Sequence, residues 1–398
     1  MQKNKKFKNS NILILCCVVL FIICVTLLAG NLPKTAKLKL AGFSFMENNK
    51  FGFMDKAGKI TVPARYDQRI YSFSEKLAVV CLDDKYGYID KTGAQKIKPG
   101  FDSARSFSEK LAVVSLGGNY GYIDTRGNFE IPATFEDAYS FNDGLAAVKI
   151  GGLWGYIDKK GVIKINPQYT AVANFSNGLA AVEKDGLWGI IDKKGVNITE
   201  IVYQDIYKSF ADSLILAKKG DKYGYIDKKG RTVIDFKYET AASFSENLAK
   251  VSQNDLYGYI DKKDDFVIYA EYSQCSDFSE GLAFAVIEAI GGAPSPYYFI
   301  INKKGEQVIS AQFTGYRNFK DGVAAVSVGD KWGVIDKKGR YIINPQYYAI
   351  SDFESGLAIV RIQNNVGVID KKGNVVIEIK YENNDSLNYY GLSMVMER

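Results

Sequence analysis

The residues of this chain that could do chemistry are carboxylates and lysines placed at a fixed spacing. The sequence Asp-Lys-Lys-Gly occurs at 158–161, 192–195, 227–230, 336–339 and 370–373. An acid or amide occupies its first position ten times: Asp55, Asp90, Asp124, Asp158, Asp192, Asp227, Asp261, Asn302, Asp336 and Asp370. Such a series suggests a calcium ladder. However, Ca²⁺ takes about six to eight oxygen ligands, and each motif offers one carboxylate beside two lysines.

The Asp-Lys-Lys-Gly motif fits a tight turn better than a metal site. Aspartate is favoured at the first position of a type I turn, where its carboxylate accepts from backbone N–H groups, and glycine tolerates positive φ. We therefore expect turn-capping aspartates and solvent-exposed lysines at the turn tips. A row of such lysines could also contact an anionic wall polymer or lipid headgroups.

The composition removes several classes of site. The chain has no histidine, the commonest general base and metal ligand. Cys16, Cys17 and Cys24 lie in one hydrophobic segment, and Cys81 and Cys275 lie far apart at different repeat positions, so no zinc-like spacing is present. Nearly every acid belongs to a repeated column. The sequence therefore assigns no catalytic, metal-binding or cofactor-binding residue, and we do not expect an enzyme.

The positive charge of the chain is concentrated at its amino terminus. There are 51 Lys and Arg against 45 Asp and Glu, a net charge of +6, and four of the lysines are Lys3, Lys5, Lys6 and Lys8. Without these four the balance is 47 against 45, or +2. This near-neutral body argues against a nucleic-acid partner, because nucleic-acid binding requires a basic patch.

The segment 12–30 is long and apolar enough to cross a bilayer. Its first 18 residues, ILILCCVVLFIICVTLLA, carry no charge. The lysines before it favour a cytoplasmic tail at 1–11. We therefore predict one transmembrane helix, as an anchor or uncleaved signal, then a linker at 31–40 and a repeat region at 41–398 outside the cytoplasm. The alternative is a signal peptide that is cleaved at the end of the segment to release a secreted protein.

The region 41–398 consists of ten copies of one motif. An aromatic residue followed by glycine marks most copies: Phe51-Gly52, Tyr86-Gly87, Tyr120-Gly121, Trp154-Gly155, Trp188-Gly189, Tyr223-Gly224, Tyr257-Gly258 and Trp332-Gly333. The eighth copy has Tyr298-Phe299, and the last has Val366-Gly367. The spacing is 34 or 35 residues, except for one of 41 before the eighth copy. Short apolar segments between turns predict about three antiparallel strands in each copy.

Two aromatic columns recur at other positions of the motif. The first contains Phe73, Phe107, Phe141, Phe175, Phe210, Phe244, Phe278, Phe319 and Phe353. The second contains Tyr66, Phe101, Phe135, Tyr169, Tyr203, Tyr238, Tyr272, Phe313, Tyr347 and Tyr381. One short copy cannot bury such rings alone, so we expect them in a core between stacked copies. The tryptophans and tyrosines could instead form a surface on which sugars stack.

These motifs resemble the bacterial WG-repeat family, also called KWG repeats. Trp154-Gly-Tyr-Ile-Asp158-Lys-Lys-Gly161 and the following Phe175-Ser-Asn-Gly-Leu-Ala-Ala-Val182 carry the resemblance, which covers residues 41–398. It departs from the pattern at Tyr298-Phe299 and Val366, and where Tyr or Phe replaces Trp. The resemblance implies a β-rich, envelope-associated bacterial protein with no shared catalytic residues.

The clearest exception to the repeat is an insertion in the eighth copy, EAIGGAPSPYY at 288–298. Insertions in repeat proteins lie on loops, and such loops often line the functional face. We therefore assign a candidate partner-binding loop to six of its residues: Gly291, Gly292, Pro294, Pro296, Tyr297 and Tyr298. The simpler interpretation is a tolerated surface insertion.

The sequence thus predicts an all-β repeat protein in an elongated or superhelical array, with a closed β-propeller as the alternative. An open array leaves sheet edges that need caps, whereas about ten short blades would be many for a propeller. The function we expect is a non-enzymatic scaffold, anchored in the cell envelope, that binds an unidentified protein partner. A module that binds glycan or wall polymer is the alternative.

Overall fold

The computed structural model describes residues 38–208, 213–287, 297–382 and 391–397, and the regular structure in these ranges is entirely β. They contain no helix long and apolar enough to span a bilayer. The tail, transmembrane helix and most of the linker predicted for residues 1–40 lie outside the described ranges. The repeat region begins slightly earlier than expected, because its first strand starts at Lys39.

Ten units, numbered from the amino terminus, each contribute one antiparallel sheet of up to four strands. The first strands are short in most units: Leu392–Glu397 in unit 1, then Ser72–Ser74, Ser103–Ala104, Asp137–Ala138, Ala171–Val172, Asp205–Ile206, Gln274–Cys275, Gly315–Tyr316 and Ala349–Ile350. The second strands are Lys39–Glu47, Leu77–Leu82, Ala112–Leu116, Leu145–Ile150, Leu179–Lys184, Leu214–Lys219, Ala249–Gln253, Leu282–Val286, Val323–Val328 and Leu357–Ile362.

The third strands carry the aromatic-glycine pair: Lys50–Asp55, Lys85–Ile89, Asn119–Ile123, Leu153–Asp158, Leu187–Asp192, Lys222–Asp227, Leu256–Ile260, Tyr298–Asn302, Lys331–Asp336 and Asn365–Asp370. The fourth strands are Ile60–Tyr66, Gln95–Phe101, Phe129–Phe135, Ile163–Tyr169, Thr232–Tyr238, Phe266–Tyr272, Gln307–Phe313, Tyr341–Tyr347 and Val375–Glu382. The three long strands that the sequence predicts are present in nine units, whereas unit 5 has two, and its residues 197 and 203 form only isolated bridges. The short first strand is an addition that the sequence pattern did not indicate.

The burial of the strands follows their place in the sheet. In unit 4 the second strand begins with four consecutive buried residues, Leu145 to Val148, because neighbouring sheets cover both of its faces. The fourth strand, Ile163–Tyr169, is an edge strand and buries only Ile165 and Tyr169. The same alternation recurs in the fourth strands of most units, so one pattern of apolar residues specifies the same sheet ten times.

The glycine of the aromatic-glycine pair is required by a close backbone contact. Trp154 pairs with Tyr169 and Tyr156 pairs with Ile165, so three residues of the fourth strand bulge opposite Gly155. A Cβ at Gly155 would lie 2.5 Å from the Ile165 carbonyl oxygen. Only glycine avoids this clash, and the same register shift recurs at the equivalent positions of other units.

Replacing Gly155 with alanine should therefore destabilise the protein strongly. We expect Gly155→Ala to lower the free energy of unfolding by about 2–3 kcal/mol, because the clashing atoms belong to the backbone. Gly100→Ala is the control, a glycine in the fourth strand of unit 2 whose new Cβ would have its nearest neighbour at 3.9 Å. Urea denaturation of both variants measures the difference; equal midpoints would contradict the role of the bulge.

The hydrophobic core lies between adjacent units rather than within them. Ten clusters of buried residues each combine side chains from two neighbouring units. In one of them Tyr156 of unit 4 packs on Phe175 of unit 5, with ring centroids 4.8 Å apart. The Tyr156 hydroxyl donates to the Ala173 carbonyl oxygen of unit 5 at 2.7 Å. Both expected aromatic columns are thus confirmed as inter-unit core wherever they are described; Phe210 lies outside these ranges.

The last unit is joined to the first, so the array is a closed ring. The carboxy-terminal strand Leu392–Glu397 pairs with the amino-terminal strand Lys39–Glu47 and completes the sheet of unit 1. One hydrophobic cluster combines Phe43 and Met54 of unit 1 with Val368 and Ile377 of unit 10. This tenth interface is equivalent to the other nine.

The preferred expectation of an open, elongated array is therefore wrong, and the closed alternative describes the molecule. Four-stranded antiparallel sheets packed in a closed circuit are the architecture of a β-propeller. Closure leaves no terminal unit with an uncovered apolar face, which an open repeat array must protect with special caps. The sequence periodicity is the same for both forms, so it could not separate them.

Removal of the strand Leu392–Glu397, which closes the ring, should lower the free energy of unfolding far more than the loss of six residues suggests. Truncation after residue 390 exposes the apolar faces of units 1 and 10, including Leu40 and Val366, which are fully buried. We expect a loss of several kcal/mol, since each large apolar side chain contributes about 1.5–3 kcal/mol on burial. Self-association should also appear, measured by sedimentation velocity beside urea denaturation. A truncated chain that remains monomeric and equally stable would contradict the closed ring.

Candidate functional site

The insertion of unit 8 lies at one end of the ring, where the second and third strands of every unit meet. We call this the hairpin end. In unit 4 the connection there is the two-residue turn Gly151-Gly152, flanked by the pair Ile150 and Leu153. In unit 8 Val286 and Tyr298 end the corresponding strands, and residues 288–296 replace the turn.

The described part of the candidate loop consists of its two tyrosines. Gly291, Gly292, Pro294 and Pro296 lie outside the described residues. Tyr297 is 40% exposed, and Tyr298 is half-buried with its hydroxyl donating to Gln274 Oε1 at 2.7 Å. The carboxy-terminal base of the insertion is therefore fixed to the ring by Tyr298.

An aromatic cluster packs against Tyr298 at this base. Phe284 of unit 8 stacks on Tyr316 of unit 9 with centroids 4.3 Å apart, and Tyr298 meets the same Tyr316 edge-on at 4.6 Å. Phe319 lies 5.9 Å from Phe284. Burial, followed by the nearby Tyr298, raises the pKa of Tyr316 to about 12. Four rings from two units therefore pack together where the third strand of unit 8 begins.

Sequence analysis missed two members of this cluster, although a signal was present. Phe284 occupies a second-strand position that is Ala147 in unit 4 and Ala325 in unit 9. Tyr316 occupies a position where unit 4 has Ala138. Both are aromatic exceptions in columns that hold non-aromatic residues in the other units, such as Leu216 and Ile350, and Tyr316 contacts Tyr298.

The aromatic row of the third strands does not form a free stacking platform. Trp154 is 7% exposed and packs on Tyr139 at 4.7 Å. Trp188 is half-buried, with the Lys208 ammonium 3.8 Å from its ring centroid. Arg317 lies 5.8 Å from the Trp332 centroid in the same way. Protein side chains thus already occupy ring faces that a sugar would need.

The opposite end of the ring carries the turns between the third and fourth strands, and we call it the Asp-turn end. Asp158 Oδ1 accepts from the N–H groups of Lys160 and Val162 at 2.9 and 3.0 Å. Its Oδ2 lies 3.0 Å from Lys164 Nζ, and Gly161 has φ of 78°. Both carboxylate oxygens are therefore engaged, as the turn-capping interpretation predicts.

No group of three or more potential metal ligands occurs in the part of the chain that the structure describes. The turn of unit 8 keeps its geometry with an amide, since Asn302 Oδ1 accepts from Lys304 N–H at 2.9 Å. A turn that forms equally well with an uncharged side chain has a structural role. This favours capping over a calcium ladder.

The two lysines of the turn have different environments. The first bridges to the preceding unit: Lys159 to Glu109 at 2.9 Å, Lys303 to Glu246 at 2.8 Å and Lys337 to Glu280 at 3.0 Å. Lys159 and Lys337 are exposed, as expected, and the ion pairs add a link between units that the sequence did not indicate. The second lysine is exposed in seven consecutive units, at Lys160, Lys194, Lys229, Lys263, Lys304, Lys338 and Lys372.

The acids that receive the first lysines belong to a second set of turns at the Asp-turn end. Each precedes a second strand and has left-handed residues, such as Asp143 with φ of 53° and Gly144 with φ of 81°. Glu109 accepts from the Gly144 N–H of the next unit at 3.1 Å, and Asp143 accepts from Gly178 N–H at 2.7 Å. These bonds link turn to turn around the ring.

The fold and its turns define a closed β-repeat protein with two distinct ends and no enclosed chemical centre among the described residues. The chain belongs to the family of WG containing repeats. Ten consecutive matches to this family cover residues 51–86, 86–120, 120–154, 154–188, 188–223, 223–257, 257–288, 298–332, 332–365 and 367–397. The resemblance drawn from the motifs is thereby confirmed.

Solved structures resemble the chain only distantly. A crystal structure of the eukaryotic initiation factor is 12% identical, with a TM-score of 0.45 over 85% of this chain and 95% of that one. Hsv2p of Kluyveromyces lactis is 12% identical, with a TM-score of 0.33 over 65% and 96%. PorZ of Porphyromonas gingivalis is 12% identical, with a TM-score of 0.27 over 87% and 59%. No curated protein matches the sequence.

The capping carboxylates should make the protein sensitive to acid. Burial alone would raise the pKa of Asp90 and of Asp124, but the hydrogen bonds of each turn outweigh it and lower both values to about 2. A depressed carboxyl pKa stabilises the folded state above about pH 4, and this contribution is lost as the pH falls towards 2. We therefore expect the free energy of unfolding to decrease over this window.

Urea titrations followed by circular dichroism at pH 5, 4, 3 and 2 measure this decrease. Asp124→Asn is the matched variant, because Asn302 shows that the turn accepts an amide. It should be less stable than the parent at pH 5 and show a shallower dependence on pH. A stability that is flat between pH 5 and pH 2 would contradict the capping role.

Proposed function

We propose that this protein is a non-enzymatic scaffold, anchored in the cell envelope by residues 12–30, that binds a protein partner at the hairpin end of its ring. The observation that carries the proposal is an aromatic cluster at the strand ends that flank the unit 8 insertion. In the sequence, residues 288–296 stand where unit 4 has a two-residue turn, and Tyr298, which follows them, packs with Phe284 and Tyr316. A loop whose ends are held in place loses less conformational entropy on binding than a free loop does.

The flanks of the insertion support contact with a protein. Ile287 is 56% exposed and Tyr297 is 40% exposed, although both are large and apolar enough to be buried. Tyrosine supplies a broad amphipathic contact area and is enriched at protein interfaces. In unit 4 the corresponding residues Ile150 and Leu153 are also partly exposed, but their turn adds only two glycines. Unit 8 thus offers a larger and more varied surface than its neighbours.

A protein partner is a better proposal than a glycan. Binding of a sugar by stacking needs an open aromatic face, whereas Lys208 and Arg317 cover the rings of Trp188 and Trp332. The most exposed aromatic side chain, Tyr269 at 77%, lies in a fourth strand and stacks on Phe266 of its own strand. These two observations leave a glycan or wall polymer as the weaker alternative for the hairpin end.

The orientation of the chain is part of the proposal. The lysines before residue 12 favour a cytoplasmic amino terminus, which places the ring outside the cytoplasm. Alkaline extraction of membranes that contain the full chain tests the anchor: we expect the chain to stay with the membrane. Its release into the supernatant would favour the alternative of a cleaved signal and a secreted ring.

The partner-binding loop is tested by exchanging residues 288–296 for Gly-Gly, the turn that unit 4 uses. We expect the exchange to preserve the ring and to abolish the cross-links that the parent chain forms with envelope proteins. Mass spectrometry after chemical cross-linking of whole envelopes identifies the partners, and urea denaturation checks the fold.

Asp330→Gly is the matched control, because it changes the hairpin turn of unit 9 at the same end of the ring. This variant should keep the full set of cross-links. Persistence of every cross-link in the loop exchange would overturn the proposed site. Loss of the cross-links in the unit 9 variant as well would point to the whole hairpin end rather than to the loop.

A further inference from the structure

At the Asp-turn end of the ring, seven lysine side chains form a row on one face. Lys160, Lys194, Lys229, Lys263, Lys304, Lys338 and Lys372 occupy the same turn position in units 4 to 10, and all seven are exposed. Within the described part of the chain none of them is in an ion pair, unlike the first-position lysines of the same turns. Because the ring is closed, these seven turns lie along one arc of one face.

The acids described at this end have partners other than the second-position lysines. Asp336 and Asp370 engage the backbone of their own turns through Oδ1 and a neighbouring side chain through Oδ2. Glu246 and Glu280 hold the first-position lysines Lys303 and Lys337 and the N–H groups of the next unit. Among the described residues, no carboxylate therefore forms an ion pair with a second-position lysine.

The amino-terminal segment reaches the ring at this same end. Gly42 pairs with Asp55, which begins the turn of unit 1, so Lys39 lies beyond that turn at the Asp-turn end. Eight residues, 31–38, separate it from the apolar segment 12–30. Fully extended, eight residues span at most about 29 Å. An anchored chain thus keeps its lysine-bearing face close to the bilayer and its hairpin end directed away.

From these placements we propose that the second-position lysines of units 4 to 10 dock the ring on anionic phospholipid headgroups of the membrane that holds the anchor. The proposal rests on the anchored topology of the proposed function. Each lysine near an anionic surface adds about fivefold to the attraction, and the effect extends about 10 Å at 0.1 M salt. An arc of seven lysines therefore orients the ring, with the hairpin end and its insertion facing outwards.

The test uses the full chain reconstituted into two kinds of vesicle, pure phosphatidylcholine and phosphatidylcholine with phosphatidylglycerol. Acylation by a membrane-impermeant amine reagent is followed residue by residue with mass spectrometry. We expect Lys304, Lys338 and Lys372 to react about fivefold or more slowly in the anionic vesicles. Lys184 and Lys219, which are exposed at the hairpin end, should react equally in both.

High salt provides an internal check on the electrostatic origin of the protection. At about 1 M salt the screening length falls to about 3 Å, and the protection should disappear. Equal acylation of the lysine row in the two kinds of vesicle at low salt would overturn the proposal. So would protection that salt does not change, because it would indicate burial against protein.

A charge variant tests whether the row acts together. In the triple variant Lys304→Gln, Lys338→Gln and Lys372→Gln, the remaining lysines Lys160 and Lys194 should lose most of their protection. The control Lys184→Gln with Lys219→Gln removes charge from the other end and should leave the protection intact. Unchanged protection in the triple variant would contradict docking by the row.

Alkaline extraction of the same vesicles separates this inference from the proposed function. If the chain resists extraction but its lysines are not protected, the anchor stands and the docking proposal fails. If the chain is extracted, the anchor fails, and flotation of the free chain with the two kinds of vesicle decides the docking. Flotation with phosphatidylglycerol vesicles that the triple variant loses supports the proposal, and no flotation refutes it.

Discussion

The structure depends on one contact, the packing of apolar side chains across each boundary between units. Tyr156 of unit 4 illustrates it, because its ring packs on Phe175 of unit 5 and its hydroxyl bonds to a carbonyl of that unit. Each buried ring contributes about 1.5–3 kcal/mol. A single unit has no partner for its rings, so it gains this energy only when both of its neighbours are in place. Closure of the ring supplies the missing neighbour for units 1 and 10.

The polar contacts at the Asp-turn end are weaker, and they serve alignment more than stability. Exposed ion pairs such as Lys159 with Glu109 contribute about 0–1 kcal/mol each, well below the gain from burying one ring. They nevertheless join fixed positions in successive units, as do the bonds from Asp143 to Gly178. Their regular geometry keeps every sheet at the same height in the ring. The hydrophobic interfaces hold the units together, and the turn contacts set their register.

Local chemistry explains what the sequence could predict. The Asp158 turn, the buried Phe175 and the unit boundaries all depend on residues within one or two repeats, and the periodicity displays them directly. Closure of the ring depends instead on Leu392–Glu397, which pairs with the opposite end of the chain, a contact that the repeat pattern does not display. The repeat pattern says nothing about the angle between neighbouring sheets, and that angle decides whether ten units form a ring or a superhelix. The partners of Lys159 were missed for the same reason, because Glu109 lies in the preceding repeat.

The candidate loop could be located from the sequence, but its support could not. The extra residues at 288–296 interrupt the spacing and are visible by counting. Phe284 and Tyr316 are visible only when each column is searched for an aromatic residue, since the other units have non-aromatic side chains at both positions. An aromatic side chain at a repeat position that is otherwise non-aromatic can therefore be as informative as an insertion.

The sheet of unit 1 joins the earliest and the latest strands of the chain. During synthesis, the strands Lys39–Glu47, Lys50–Asp55 and Ile60–Tyr66 emerge first. Leu392–Glu397, which pairs with Lys39–Glu47 and completes their sheet, emerges much later. Until the final residues appear, the apolar face that unit 10 will cover stays open to solvent or to a chaperone. The sheet of unit 1 therefore cannot be completed before the strand Leu392–Glu397 has been synthesised.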